Sequence, residues 1–437
     1  MAHQDEQMNR RRRERELRRK KQLAQQRKLR QRLLLAAAAL VVCGVAIFAF
    51  NGSGGSAQPN TADPNPQATV AVEQPQATSR FQRDPTTVIH IKAAGDLNIT
   101  DAVVAAGAGV NGYNFTDCFM DVAPILNDAD LTVLNFEGNL CGEPFGTASA
   151  SAPQQLAEAL RLSGVDIVQM ANSMSVNNGL IGLTSTLNNF RAAGLEPIGA
   201  FSSPKEFQKS KGYTICEVKG ITVAFVAFTK GVGSMGLPAG NEDCVNLLYT
   251  DYATTYQQID RDGIKRVLKN VASEKPDITI AMLHWGSELN DTVSKSQKDI
   301  VKLMQAQGVD VILGTHSHRV QQITYDEQTG NFVAYSLGDF FGDAKDSGTN
   351  YSLILDLEIT RDNEDGTTRV TNFSYTPIYT LNESECDGQR RVVRIREAIK
   401  AYDENYVDKV TQTAYNNMKT ALERIIARIK GPEAEKK

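Results

Sequence analysis

Cysteine is sparse in this sequence, and its arrangement argues against one common kind of metal site. The 437 residues include six cysteines, and no two of them have the C-x-x-C spacing of a zinc-binding thiolate pair. No internal repeat is present, so the sequence does not predict a repeat architecture. Apolar residues make up 41% of the chain, which is enough for a sizeable core in one large or two ordinary domains.

Charge is missing from one long stretch near the start. Residues 33–50, LLLAAAALVVCGVAIFAF, contain no charged side chain, and a helix of that length spans about 27 Å, enough for a bilayer core. Residues 1–32 carry 13 Lys or Arg against four acidic residues, a net charge of +9 that leaves −13 for the rest. The positive-inside rule therefore predicts a basic cytoplasmic tail (1–32), one transmembrane helix (33–50) and an extracellular remainder.

Two other interpretations of this segment are a cleaved signal peptide and a lipoprotein signal. The length of the basic region and the lack of a clear A-x-A site favour the anchor, and a valine precedes Cys43 where a lipoprotein has a small residue. The basic tail is explained as a topology determinant and a contact for anionic lipid, so no nucleic-acid partner is predicted. Residues 51–86, rich in Gly, Ser, Pro and Gln, predict a disordered linker.

The five cysteines beyond residue 50 would face an oxidising compartment. Their spacing favours Cys118–Cys141 and Cys216–Cys244 with Cys386 left over, but the sequence leaves this pairing open.

From residue 87 onwards, β-branched runs alternate with helical patterns. Near-continuous apolar strands such as 131–136, 221–229 and 277–285 are followed by helical stretches, which predicts α/β layers with buried sheets. The segment 212–228 predicts a hairpin that turns at Lys219-Gly220. We assign one domain to 87–385 and a helical C-terminal extension to 386–437.

Polar side chains recur where the predicted strands end, which is where sites form in layered α/β folds. They are Asp96, Asn135, Glu137, Asn172, His284, Glu288, His316, His318 and Asp339. Imidazole, carboxylate and amide groups without thiolate suit Mn²⁺, Fe, Zn²⁺ or Mg²⁺ in a hydrolytic site. In an extended segment, residues two apart point the same way, so both imidazoles of the H-x-H motif can face one metal.

Each of these signals also has an ordinary structural explanation. A single Gly-Asp after a strand is usually a turn, and an H-x-H pair can be a hydrogen-bonded pair. His90, in the middle of a strand, is interpreted as structural. A binding or structural module on a stalk, with histidines satisfied in its core, is therefore the competing class.

The order of motifs resembles a known family. GD, NFEG, ANSM, HWGSE, GTHSHRVQ and YSLGDF follow one another as in the bacterial CapA family of capsule and poly-γ-glutamate synthesis proteins. The resemblance covers roughly residues 87–380. It implies a calcineurin-like metallophosphatase-type fold: a two-sheet sandwich flanked by helices, with metal ligands at one sheet edge.

On this resemblance we predict a divalent metal site whose ligands are Asp96, Asn135, Glu137, His284, His316 and His318. Glu288 and Asp339 are the catalytic candidates, and Asn172, Trp285 and Gln321 are the substrate-binding candidates. The implied partners are the membrane, an anionic cell-surface polymer and membrane proteins of a polymer synthase complex. The net charge of −13 beyond residue 32 fits a polyanion poorly unless bound cations offset it.

The third motif departs from the family pattern A-N-N-H-x-x-D-x-G. In ANSMSVNNG, Ser173 replaces the second asparagine, Met174 the histidine and Asn177 the aspartate. A thioether cannot donate a proton, so Met174 cannot replace a general acid. Asp339 also stands where asparagine is usual. Two alternatives follow: a metal-dependent hydrolase or transferase whose acid is Glu288 or Asp339, or a degenerate member that binds polymer without turnover.

Overall fold

The structure, a computed structural model, describes residues 84–233, 236–405 and 410–431. The predicted cytoplasmic tail, transmembrane helix and nearly all of the predicted linker lie outside these residues. Within the described ranges, no helix is both long and apolar enough to cross a membrane.

The described residues form 16 strands and nine α-helices. The strands are β1 Thr86–Asn98, β2 Ala108–Gly109, β3 Gly112–Tyr113, β4 Leu131–Glu137, β5 Ile167–Gln169, β6 Glu196–Ile198, β7 Thr214–Val218, β8 Ile221–Thr229, β9 Ile278–His284, β10 Val311–Thr315, β11 Ile323–Tyr325, β12 Phe332–Ala334, β13 Asp339–Phe341, β14 Tyr351–Asp362, β15 Thr368–Leu381 and β16 Arg391–Arg394. The helices are α1 Asp101–Gly107, α2 Ala123–Leu126, α3 Gln155–Leu162, α4 Gly179–Ala192, α5 Pro204–Ser210, α6 Arg261–Glu274, α7 Lys295–Gln305, α8 Ile395–Asp403 and α9 Gln412–Lys430.

The first sheet is mixed, and β1 lies at its centre. On one side of β1, the strands β4, β5 and β6 are parallel to it. On the other side, β14, β15 and β16 follow, and each is antiparallel to its neighbour. Strand β13 pairs with the end of β1. The parallel half is joined through helices, as parallel strands require. The carboxyl ends of β1 and β4 therefore reach the same sheet edge.

The second sheet has the order β11-β12-β10-β9-β8-β7. Strands β8, β9 and β10 are parallel and are joined by α6 and α7. The predicted hairpin is present as β7 and β8. Its turn residues have positive φ, 50° at Lys219 and 79° at Gly220, the conformation that matches strand twist in a two-residue hairpin.

Two layers of apolar side chains hold the sheets and helices together. Alternate residues of β8 point to opposite faces: Val223 and Phe225 join the core shared with the first sheet, and Ala224 and Val226 join a core with α6 and α7. This period of two is the expected pattern for a strand buried on both faces. The mixed α/β fold predicted from the sequence is confirmed.

Three features differ from the sequence-based expectations. The five cysteines in the described ranges are all free; Cys118, for example, is buried and contacts the carbonyl oxygen of Ala106. Part of the predicted C-terminal extension is a strand, because Arg391–Arg394 pairs with β15 and continues the first sheet. Helix α9 also belongs to the core, through buried side chains such as Met418 and Ile425.

A close approach of backbone to backbone at Gly95 holds the end of β1 in place. A Cβ at this position would lie 1.8 Å from the carbonyl oxygen of Gly338. That carbonyl accepts a hydrogen bond from the Asp96 amide at 2.9 Å. Only glycine allows this contact, so Gly95 fixes where Asp96 lies.

We expect Gly95→Ala to lower the free energy of unfolding by about 3 kcal/mol, because the added methyl group must push the two segments apart. Urea unfolding of the variant and the wild type measures this. Gly109→Ala is the control: its closest contact is 3.3 Å in an exposed hairpin, and a change of about 0.5 kcal/mol is expected there. Equal effects in the two variants would contradict this account of Gly95.

Candidate metal centre

The carboxyl ends of strands from both sheets meet at one place. In the first sheet, Asp96 on β1 lies opposite Asn135 on β4. In the second, His284 at the end of β9 lies opposite Thr315 at the end of β10. A hydrogen bond of 3.0 Å from the His316 amide to Asp96 Oδ2 links the two edges.

The three histidines form one group. The ring centroids of His284 and His316 are 4.4 Å apart, and those of His316 and His318 are 6.3 Å apart. His316 and His318 both have positive φ, 88° and 57°. Non-glycine residues seldom adopt this conformation, and it concentrates at functional sites. The turns of the H-x-H loop therefore place both imidazoles at the same centre, although the segment is not extended as the sequence suggested.

Two sets of ligand atoms share Glu137. One consists of Glu137, His284 and His316, the other of Asp96, Glu137 and His318, and in each set the atoms lie within 4.8 Å of one another. Because Glu137 belongs to both sets, these residues could hold two ions as well as one.

Two buried atoms of this centre lack hydrogen-bond partners. Glu137 Oε2 and His316 Nδ1 accept no hydrogen bond. Burial lowers the pKa of His316 well below its usual value. Burial acts to raise the pKa of Glu137, but His284, His318 and Ser173 together lower that pKa below its usual value. At these two residues the shifts favour a neutral imidazole and an ionised carboxylate, the protonation states that metal binding needs. The residues present therefore fit a divalent metal.

Neighbouring side chains orient these ligands. His318 Nδ1 lies 2.7 Å from Asp339 Oδ1, which directs Nε2 towards Glu137. A carboxylate behind a ligating histidine is a common device for fixing its orientation. Burial raises the pKa of Asp339 to about 7, and the charge of His318 opposes this. Asp339, predicted as catalytic, is thus engaged with His318 and has 4% of its surface exposed.

The two predicted asparagines also serve the ligands. Asn135 donates to Asp96 Oδ1, and its own oxygen accepts from Asn172 at 3.1 Å. Asn172 also donates to the Phe136 carbonyl at 2.7 Å. Both side chains are fully buried. Asn135 therefore lies beside the centre with its oxygen engaged by Asn172, and Asn172 holds Asn135 rather than facing a substrate.

Two of the predicted substrate-binding residues lie elsewhere. Trp285 is fully buried, stacks on Tyr335 and donates to its carbonyl oxygen at 2.9 Å. Gln321 is also fully buried and hydrogen-bonds Gln297 in α7 and the Asn290 carbonyl. Alternation along β9 explains Trp285: it follows His284 and points to the opposite face of the sheet.

A cleft of about 460 Å³ opens above the centre. Its described lining includes Ser173, Met174, Asn177, Lys230, Tyr256, Ser287, Glu288 and His316. Glu288, the other catalytic candidate, is exposed at this cleft. Ser173 Oγ lies 3.0 Å from His284 Nε2. Lys230 and Tyr256 were not predicted from the sequence; Lys230 directly follows the β8 run, in the same strand-end position as the predicted ligands.

The family of this chain follows from its match to a protein-family model. The model of "Bacterial capsule synthesis protein PGA_cap" matches residues 90–344, more than half of the chain. The chain belongs to this family. The resemblance seen in the motifs is therefore confirmed.

Two Bacillus proteins are similar to this PGA_cap member. It is 26% identical to the capsule biosynthesis protein CapA of Bacillus anthracis over 261 residues, covering 58% of this chain and 60% of that protein. It is 26% identical to the PGA biosynthesis protein CapA of Bacillus subtilis over 302 residues, covering 67% of this chain and 73% of that protein. The match thus spans less than two thirds of the first relative's length.

Among solved structures, this PGA_cap member is similar to the calcineurin-like phosphoesterase YfkN from Bacillus subtilis. The TM-score is 0.41 at 14% identity, covering 78% of this chain and 98% of that chain. The likeness is distant, and the family assignment rests on the sequence match.

We expect Mn²⁺ or Zn²⁺ at about a hundred times its Kd to raise the free energy of unfolding of the stripped protein by about 2.7 kcal/mol, because the ion binds only the folded state. The double variant His316→Ala/His318→Ala should lose this stabilisation and any stoichiometric metal. Calorimetry and elemental analysis measure the two effects.

His90→Ala is the matched control, since His90 pairs with Asp356 at 3.0 Å and takes no part in the ligand sets. Metal-dependent stabilisation should survive in this variant. Equal stabilisation of the double variant and the control would show that the metal binds elsewhere.

Proposed function

We propose that this PGA_cap family member is a metal-dependent hydrolase or transferase that acts on an anionic capsular polymer outside the cell. The observation that supports this most strongly is that two buried atoms, Glu137 Oε2 and His316 Nδ1, lack a hydrogen bond inside two sets of candidate ligands below an open cleft. Unsatisfied buried polar atoms destabilise a protein unless something binds them.

Each ligand has a defined part in this proposal. Asp96, Glu137, His284, His316 and His318 would hold the ion or ions. When bound, the metal would polarise a phosphoryl or carbonyl oxygen and activate water. The chain itself supplies a water-excluded floor, because four of the five ligands are at most 3% exposed.

The proton donor for the leaving group is the weakest part of the site. Met174 lines the cleft at the position of the family histidine and has no proton to give. Asp339 is engaged with His318. Among the described residues that line the cleft, Glu288 is the carboxyl side chain, and we assign proton transfer to it.

The methionine at position 174 also favours a second function. With a methionine in place of the acid, the centre can bind metal and polymer without turning it over, as an assembly or export factor. Loss of a general acid lowers rates by about 10²–10⁴, so the two functions differ in rate rather than in ligand.

The relatives' names and the amino-terminal sequence support the proposed setting. Two relatives are named for capsule and PGA biosynthesis. The uncharged segment 33–50 behind a tail of net charge +9 favours a single-pass anchor with the domain outside. Bound metal would offset locally the net charge of −13 that would otherwise repel a polyanion. Membrane proteins of a polymer synthase are the proposed partners.

Restoring the family motif tests the catalytic assignment. We expect Ser173→Asn/Met174→His to raise kcat on an alkyl phosphodiester by about 10²–10⁴, because its poor leaving group needs a proton and the histidine supplies a donor. Steady-state kinetics of the metal-loaded protein measure this. Ser173→Asn alone is the control: it supplies the amide without the acid and should gain far less. No gain in the double variant, with its metal content intact, would contradict our account of the third motif.

Protease added to intact cells tests the location. We expect the domain to be digested while a tag before residue 1 stays protected and attached, as a cytoplasmic tail predicts. Loss of the tag from the mature protein would indicate a cleaved signal peptide. Protection of the domain would place it inside.

A further inference from the structure

We propose that Lys230 is the residue that selects the substrate, by binding a carboxylate group of the polymer beside the metal centre. This inference rests on the proposed function and names the chemistry that the cleft recognises. It assigns a role to a side chain outside the family motifs.

The backbone of Lys230 is fixed to the metal centre. Lys230 directly follows β8, and Thr229 lies in register with His284 on β9. The Lys230 amide donates to the carbonyl oxygen of His284 at 2.8 Å. The Lys230 backbone is therefore hydrogen-bonded to a candidate ligand residue, His284. The Lys230 side chain lines the same cleft as His316.

The ammonium group is held in one position. Lys230 Nζ donates to the Gly286 carbonyl oxygen at 2.8 Å and lies 4.5 Å from the centroid of the Tyr256 ring. The aromatic face attracts the cation. An ammonium has three N–H donors, and Gly286 takes one of them. A positioned cation with remaining donors is suited to binding an anionic oxygen.

The support beneath Lys230 depends on a close contact. A Cβ at Gly231 would lie 2.7 Å from the Tyr252 carbonyl oxygen and 2.9 Å from Tyr256 Cε1. Only a glycine at position 231 lets the Tyr256 ring approach so closely. Tyr256 itself has φ of 55°, an uncommon conformation for an aromatic residue. The local backbone is thus shaped to bring this ring under the lysine.

The charges of the cleft favour a carboxylate over a phosphate dianion. Among the described residues of its lining, Lys230 is the one Lys or Arg and Glu288 the one Asp or Glu. The two interact electrostatically. A singly charged group can pair with Lys230, whereas the second charge of a dianion finds no other Lys or Arg among the described lining residues. Polyglutamate carries one carboxylate per repeating unit, so it fits this balance.

Titration calorimetry of the full-length, metal-loaded protein in detergent tests the proposal. The probes are a γ-linked glutamate trimer and inorganic phosphate. We expect Lys230→Met to weaken trimer binding about tenfold to a hundredfold, the loss expected for one charge-assisted hydrogen bond. Lys230→Arg should recover part of the affinity, because it keeps the charge.

Lys219→Met is the matched control. Lys219 precedes β8 and Lys230 follows it, so the two lysines stand at opposite ends of one strand, about 30 Å apart. The control should bind the trimer as the wild type does. Unchanged trimer affinity in Lys230→Met, or tighter binding of phosphate than of the trimer by the wild type, would overturn the proposal.

Metal content is measured on the same samples, so the two proposals fail separately. Absence of metal from the wild type contradicts the proposed function. If the samples contain stoichiometric metal but trimer binding does not depend on Lys230, only this inference is contradicted.

A labelling experiment on the wild type needs no variant: the trimer should slow acetylation of Lys230 and leave that of Lys219 unchanged. Equal acetylation of Lys230 with and without the trimer would also overturn the proposal.

Discussion

The structure depends on burying two carboxylates beside three imidazoles at the junction of two sheets. Asp96 and Glu137 are almost completely buried, as are His284 and His316. Burial raises the pKa of Asp96, while the charges of His318 and His284 oppose that rise. Charges in such surroundings are costly unless partners or ions balance them. The strand order, the backbone contact at Gly95 and the surrounding amides all serve to hold these groups together.

The backbone contributes as much as the side chains. Gly95 and Gly338 let β1 approach the segment before β13, which sets Asp96 opposite Asp339. The positive φ of His316 and His318 directs both rings inwards. These strained residues are retained at the centre because β10 and β11 of the second sheet fix the ends of the loop. The fold therefore holds the five candidate ligands together through backbone contacts as well as side-chain contacts.

The sequence predicted the elements whose pattern is local. Strands such as β8 and β9 carry unbroken apolar runs, and the strand-end motifs include the five candidate ligands that lie together in the structure. The sequence-based predictions failed where the direction of a side chain or the type of element depends on contacts between residues distant in the sequence. Trp285 follows a ligand in sequence yet points to the opposite face, and Gln321 is captured by Gln297 of α7. Arg391–Arg394 has an amphipathic pattern that suits a helix, but β15 offers it a free edge to pair with.

On the proposed function, the third motif leaves the candidate metal ligands in place and weakens proton transfer. Ser173 retains a polar contact with His284, so the metal side of the motif remains hydrophilic. Met174 removes only the proton donor and places an apolar side chain at the cleft. Lys230 and Glu288 leave the cleft close to neutral, which suits binding of a single carboxylate better than stabilising the several charges of a phosphoryl transition state. On the proposed function, these substitutions leave the candidate ligands in place and remove a proton donor, so we expect turnover to be limited by proton transfer rather than by binding.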